Sequence, residues 1–144
     1  MSQNKKERHE SRIIAVKTLF VYLSREERVK LEDVFSHVVE VDEKEKDDFA
    51  EILVHTALEN IAKVRLIVKA FAPEFPFEKI APINRVVLIL GVCELKYFDT
   101  PPIVVINEYI EIAKEFGEER SASFINGVLD AFRKSIGKQR EDGE

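Results

Sequence analysis

Pro82-Ile83-Asn84-Arg85-Val86-Val87-Leu88-Ile89-Leu90-Gly91-Val92-Cys93-Glu94-Leu95-Lys96-Tyr97-Phe98 decides the fold of this chain. Its centre, Val86 to Cys93, is apolar and rich in β-branched residues, so periodicity alone leaves a buried strand or a buried helix open. Length separates the two. From Ile83 to Phe98 there is no turn signal, and that is too long for an ordinary strand. The reading is a helix apolar on nearly every side, and therefore central.

Working outward, Asp99-Thr100-Pro101-Pro102 stops this helix and starts the next, because proline suits a helix's first turn. Ile106, Ile110 and Ala113 form a stripe flanked by Tyr109 and Phe116, and Gly117 stands where a cap is expected. Ser121 reads as the N-cap of a last helix carrying Phe124, Ile125, Val128, Leu129, Phe132 and Ile136, with a polar, frayed tail from Gly137. Upstream, Pro73, Pro76 and Pro82 interrupt any helix. A single long helix is expected from Asp42 to Phe71, ending at Ala72-Pro73. Before it come two amphipathic helices, one on Ile13, Val16, Phe20 and Leu23, the other on Leu31, Val34, Phe35 and Val38. The expectation is an all-α fold of six to seven helices. Residues 1–144 form one domain, with an N-terminal helical subdomain at 1–72 and a C-terminal one at 82–136. Gly91 and Gly127, each inside a helix, are both expected at close backbone crossings, so that Gly127→Leu would overpack the core.

Composition narrows the function. The chain has 144 residues, one Cys and a net charge of -5, which suits one domain. No apolar run approaches the roughly 20 residues of a membrane span, and Met1 to Ser11 is too polar for a signal peptide, so a soluble, cytoplasmic protein is expected. Catalysis has no visible machinery: no Gly-rich phosphate loop, no Cys or His pair at metal-ligand spacing, no nucleophile elbow. His9, His37 and His55 lie on separate stretches. Cys93 reads as inert core, and the acids from Asp42 to Glu51 as a solvated helix start. No cofactor, metal or enzymatic activity is expected. The charge is unevenly spread: residues 1–30 carry 8 Lys and Arg against 4 acids, and residues 31–60 carry 2 against 10. A basic end on an acidic body is the form of a nucleic-acid arm and also of an inert solubilising terminus. On a helix Lys5, Arg8 and Arg12 line one side, as successive phosphate contacts would require, while Glu7 and Glu10 weaken that field.

The blocks Pro102-Ile103-Val104-Val105-Ile106-Asn107-Glu108, Ile112-Ala113-Lys114-Glu115-Phe116-Gly117 and Phe124-Ile125-Asn126-Gly127-Val128-Leu129-Asp130, with Ser121 between and Arg85, Leu88 and Glu94-Leu95 ahead, resemble the NusB family of transcription antitermination factors. The resemblance implies two three-helix subdomains, no catalysis, and binding of boxA RNA in ribosomal RNA leaders. It also implies NusE, a ribosomal small-subunit protein in its transcriptional role, as partner, and the RNA polymerase elongation complex as target. The resemblance places Arg8 and Arg12 on the family's arginine positions, with Lys5 and Lys6 as substitutes for missing arginines, and the RNA-binding set is Lys5, Lys6, Arg8, His9, Arg12, Lys17, Phe20, Arg120, Ser123 and Phe124. The partner set is Asn84, Asn107, Glu108 and Tyr109, with Asn107 and Glu108, polar within an apolar helix, read either as partner contacts or as internal capping groups. The chain departs from the family pattern: His9 and Glu10 stand where further arginines are usual, Ser123 where lysine is common, and Arg120 where an acid is frequent. Phe20 and Phe124 are either base-stacking platforms or core. Three alternatives remain at this level: an accessory domain of an RNA cytosine methyltransferase, although this chain ends at Glu144 with no cofactor-binding domain; a helical protein-interaction module without RNA; and a homodimer that masks the RNA surface.

Overall fold

The structure is a computed structural model that describes residues 4–26, 28–44, 47–73, 76–117 and 120–138. Among these residues it is all helical, with α1 (Lys5–Ser24), α2 (Leu31–Val41), α3 (Asp48–Glu59), α4 (Ile61–Phe71), a 3-10 turn (Phe77–Lys79), α5 (Pro82–Tyr97), α6 (Pro102–Phe116) and α7 (Ser121–Ser135). Backbone contacts divide the chain into two compact units, Met1–His55 and Thr56–Glu144, at a point inside α3. The proline-rich stretch at which the sequence suggests a boundary lies within the second unit.

In the first unit, α2 packs on α1 through Val34, Phe35 and Val38, as its periodicity predicts. α1 corrects its expected stripe. Of Ile13, Val16, Phe20 and Leu23 only Val16 is buried, whereas Ser11, Arg12, Ile14, Ala15, Thr18 and Leu19 are. The buried residues form one broad face of α1, while Ile13, Lys17 and Phe20 are half-buried on the other side, so the core-facing stripe is wider than expected and turned away from Ile13 and Phe20.

The long helix expected from Asp42 to Phe71 is two helices. The chain breaks at Asn60, whose side-chain Nδ2 donates to Thr56 O at 2.8 Å while its own carbonyl accepts from Val64 N at 2.9 Å. Asparagine competes for backbone hydrogen bonds in this way, closing one helix and opening the next. α3 starts late, at Asp48, where Asp47 Oδ1 accepts from Ala50 N at 3.0 Å. The acidic run therefore ends as a helix cap; residues 45–46 of that run lie outside the described residues.

In the second unit α5 is the hub, packed by α4, α6 and α7, and every residue from Val86 to Leu95 is buried. Two polar groups share this interior. Tyr109 Oη donates to Glu94 Oε1 at 2.9 Å, and both residues are fully buried. Tyr109 is thus core, not a flanking partner contact, because its hydroxyl has a buried acceptor. At the C-terminal end of α5, Lys138 Nζ donates to the carbonyls of Leu95 and Phe98, a cation where the helix dipole favours one. The tail expected to fray from Gly137 is tied down at Lys138, and residues 139–144 lie outside the described residues.

Cys93 is buried, as expected, and burial, with the neighbouring Glu94 charge, pushes its thiol from 9.0 up to about 12. The folded state therefore favours the protonated thiol. That contribution to stability is complete below pH 9 and fades as the pH climbs from 9 toward 12. At pH 8, a thiol reagent such as dithionitrobenzoate is expected to react with Cys93 only after denaturant is added; rapid stoichiometric reaction of the native protein would contradict its burial.

The two helical glycines differ. A Cβ on Gly91 would lie 2.9 Å from Leu129 Cδ2 and 3.0 Å from Cδ1, whereas a Cβ on Gly127 meets nothing within 4 Å. The close crossing expected at Gly127 is absent, and Gly127 faces open space. Gly127→Leu is therefore expected to melt at or above the wild-type temperature, since leucine gains about 1 kcal/mol of helix propensity over glycine. A clear drop in thermal denaturation would show a crossing after all.

Candidate nucleic-acid interface

The basic end of the first unit begins as a capped helix. Asn4 Oδ1 accepts from Glu7 N at 2.8 Å, and Asn4 Nδ2 donates to Glu7 Oε1 at 2.6 Å, so residue four and residue seven satisfy each other as in a capping box. Glu7, which weakens the basic field when charges are merely counted, is what starts the helix that presents Lys5, Lys6 and Arg8. Glu10 is likewise engaged, by Lys44 Nζ at 2.8 Å. That hydrogen bond holds the Glu10 carboxyl below its usual range and raises the Lys44 ammonium. Ser11 Oγ donates to Asp47 Oδ2 at 2.6 Å and pins α1 beside the start of α3.

The cations of α1 stand in different surroundings. Lys5 and Lys6 are exposed, and His9 is half-buried. Arg8 is half-buried, with its guanidinium 3.8 Å from the centroid of the Phe49 ring, a contact that fixes a long side chain without neutralising it. Arg12 is only 2% exposed, with its guanidinium 5.7 Å from the same ring. The open row expected at Lys5, Arg8 and Arg12 thus loses its last member to the interior. Lys17 faces Asp42 at 2.8 Å, which offsets its charge. Phe20 is half-buried. Phe49 was missed: in the sequence it is one more apolar residue of a helix, and only the fold places it against the two arginines.

The second unit brings Arg120, Ser121 and Phe124 together with Lys79, Ile80 and Ala81 around a cavity of about 460 Å³. A second cavity of about 250 Å³ shares Phe124 and adds Phe71, Ser123 and Gly127. Phe124 is half-buried between them and Ser123 is exposed. Ser121 is not the N-cap of α7; Arg120 holds that position, and Ser121 Oγ instead accepts from Asn84 Nδ2 at 3.1 Å. Asn84 is buried, and its Oδ1 has no hydrogen-bond partner among the described residues. Of the expected partner set, Asn107 is exposed, Glu108 half-buried, and Asn84 and Tyr109 are internal. Among the described residues no His, Cys, Asp and Glu group holds metal-binding geometry, and no helix is long and apolar enough to cross a membrane.

Cations and aromatic rings brought together make surfaces that bind phosphate and stack bases. Residues 9–134 match the NusB family. The chain belongs to the NusB family. The transcription antitermination protein NusB of Nitratiruptor sp. is 34% identical over 130 residues, covering 90% of this chain and 93% of that protein. NusB of Campylobacter jejuni is 33% identical, covering 89% and 96%. Among solved structures, a crystal structure of the antitermination factors NusB and NusE in complex with dsRNA aligns at a TM-score of 0.81, with 26% identity, over 92% of this chain and 99% of that one. T. maritima NusB aligns at 0.80, with 28% identity, over 93% of both chains. The NusB fold expected from the C-terminal blocks is borne out. NusB-family relatives are named as transcription antitermination proteins, not enzymes, and matches that span nearly their whole length do not favour the methyltransferase accessory domain.

Proposed function

We propose that this NusB-family chain is an RNA-binding transcription antitermination factor that binds boxA RNA of ribosomal RNA leaders together with a NusE partner, in the cytoplasm, and acts on the RNA polymerase elongation complex without catalysing a reaction. The observation that carries this reading is the match along 99% of a solved NusB chain that was crystallised with NusE and dsRNA. The chemistry of the chain supports it. Lys5, Lys6 and Arg8 offer cations to a phosphate backbone from a capped helix, and His9 stands beside them. Arg120, Ser123 and Phe124 offer a cation, a hydroxyl and a ring face at the two cavities of the second unit that Phe124 joins.

Arg12 and Lys17 support the arm from within, one by packing and one through Asp42. Half-buried Phe20 is assigned to packing. Asn107 and Glu108 are the partner-facing pair of α6, and Asn84 and Tyr109 hold the helices beneath them. Titration of labelled boxA RNA against a scrambled RNA of equal length tests the reading: tighter binding of boxA is expected, and equal or absent binding of both would contradict it. Sedimentation of the same samples separates a monomer that binds RNA from a homodimer that hides the face.

A further inference from the structure

We propose that the second unit carries a basic strip around the Phe77–Lys79 turn, with Lys69, Lys79 and Arg85 contacting the phosphates of a single RNA strand while the adjoining cavity receives one base. The inference rests on the RNA-binding reading above and extends it to residues that reading does not use. The ring of Phe77 is shared by two cations, with Lys69 Nζ at 5.7 Å and the Arg85 guanidinium at 5.5 Å from its centroid. Two residues on, Lys79 lines the 460 Å³ cavity together with Arg120, Ser121 and Phe124.

The strip is well held. Pro76 precedes the turn and Pro82 opens α5, so little backbone freedom remains to be lost on binding, and Ile80 anchors the turn in the core. Lys17, Lys44 and Arg133 are each spent on a carboxylate, whereas Lys69, Lys79 and Arg85 form no ion pair among the described residues. Glu78 is the exposed acid on the turn itself, and it leaves the strip net positive. A cavity of this size admits a nucleobase, and the half-buried Phe124 ring gives it a stacking surface. An RNA strand suits this pattern better than an acidic protein, because the cations lie beside aromatic rings, Phe77 and Phe124.

The test is fluorescence anisotropy of labelled boxA RNA with the full chain across a salt series. Each phosphate contact to a single strand contributes about 0.7 to the slope of log K against log salt. The variant Lys69→Ala, Lys79→Ala, Arg85→Ala is expected to flatten the slope by about 2 units, and Lys69→Arg with Lys79→Arg to keep the wild-type slope. If Arg85→Ala lowers the melting temperature, the two exposed lysines alone carry the test, with a flattening of about 1.4. Wild-type binding with an unchanged slope in the variants overturns the strip and leaves the RNA-binding function standing. A wild type that binds no RNA overturns both.

Discussion

Arg12→Ala is expected to cost about 2 kcal/mol or more of folding stability, the scale of truncating a large buried side chain. For a chain of 144 residues that is a fall in melting temperature of about 5 °C or more. Arg12 is among the largest fully buried side chains of the molecule, and its guanidinium lies toward Phe49 in the first unit. Its stem fills space that alanine leaves empty. Arg12→Met keeps most of that stem and is expected to recover part of the loss. Arg8→Ala, by contrast, removes a half-buried side chain over one face of Phe49 and is expected to shift melting by about 1 kcal/mol or less. Thermal denaturation of the three variants checks the order. If Arg12→Ala melts with the wild type, Arg12 belongs on the surface with Lys5 and Arg8.

Gly91→Leu is the second large effect. Already a Cβ at this position presses on Leu129 at 2.9 Å, and Leu129 is itself fully buried. Overpacking of a closed site costs about 1 to 3 kcal/mol, occasionally more. Gly127→Leu supplies the internal control, since both changes gain the same helix propensity and only one meets a neighbour. The gap between the two melting temperatures therefore reads the overpacking alone. Equal melting of the two variants would mean that α7 shifts freely away from α5.

These two sites show what a one-dimensional reading reaches. The central helix was legible because burial on all sides writes an unbroken apolar run from Val86 to Val92, and the prolines at 101 and 102 mark a helix start by local sterics alone. Glycines are different. Gly91 and Gly127 have the same local signature, and only the partner side chain, Leu129 in one case and nothing in the other, tells them apart. Arg12 follows the same logic: a cation spaced at i+4 from Arg8 reads as a solvent-facing row, and tertiary packing turns it inward. The Asn60 break was a missed local signal, as was the Asn4–Glu7 cap, whose acid was counted only as charge. Of the candidate site, the helical arm and the Arg120–Phe124 segment were readable from position. Phe49, Phe77 and Lys79 were not, because their importance comes from neighbours distant in sequence or from a turn that reads only as a linker.

In the proposed function this chain holds boxA RNA jointly with NusE. Two proteins that are bound to each other and each hold part of one RNA strand bind it more tightly than either alone, because the second contact forms at high effective concentration. Equilibrium titration of labelled boxA RNA with this protein, with NusE and with their equimolar mixture tests it most directly. At least about tenfold tighter binding by the mixture is expected, equivalent to about 1.4 kcal/mol; equal affinity with and without NusE would rule out joint binding.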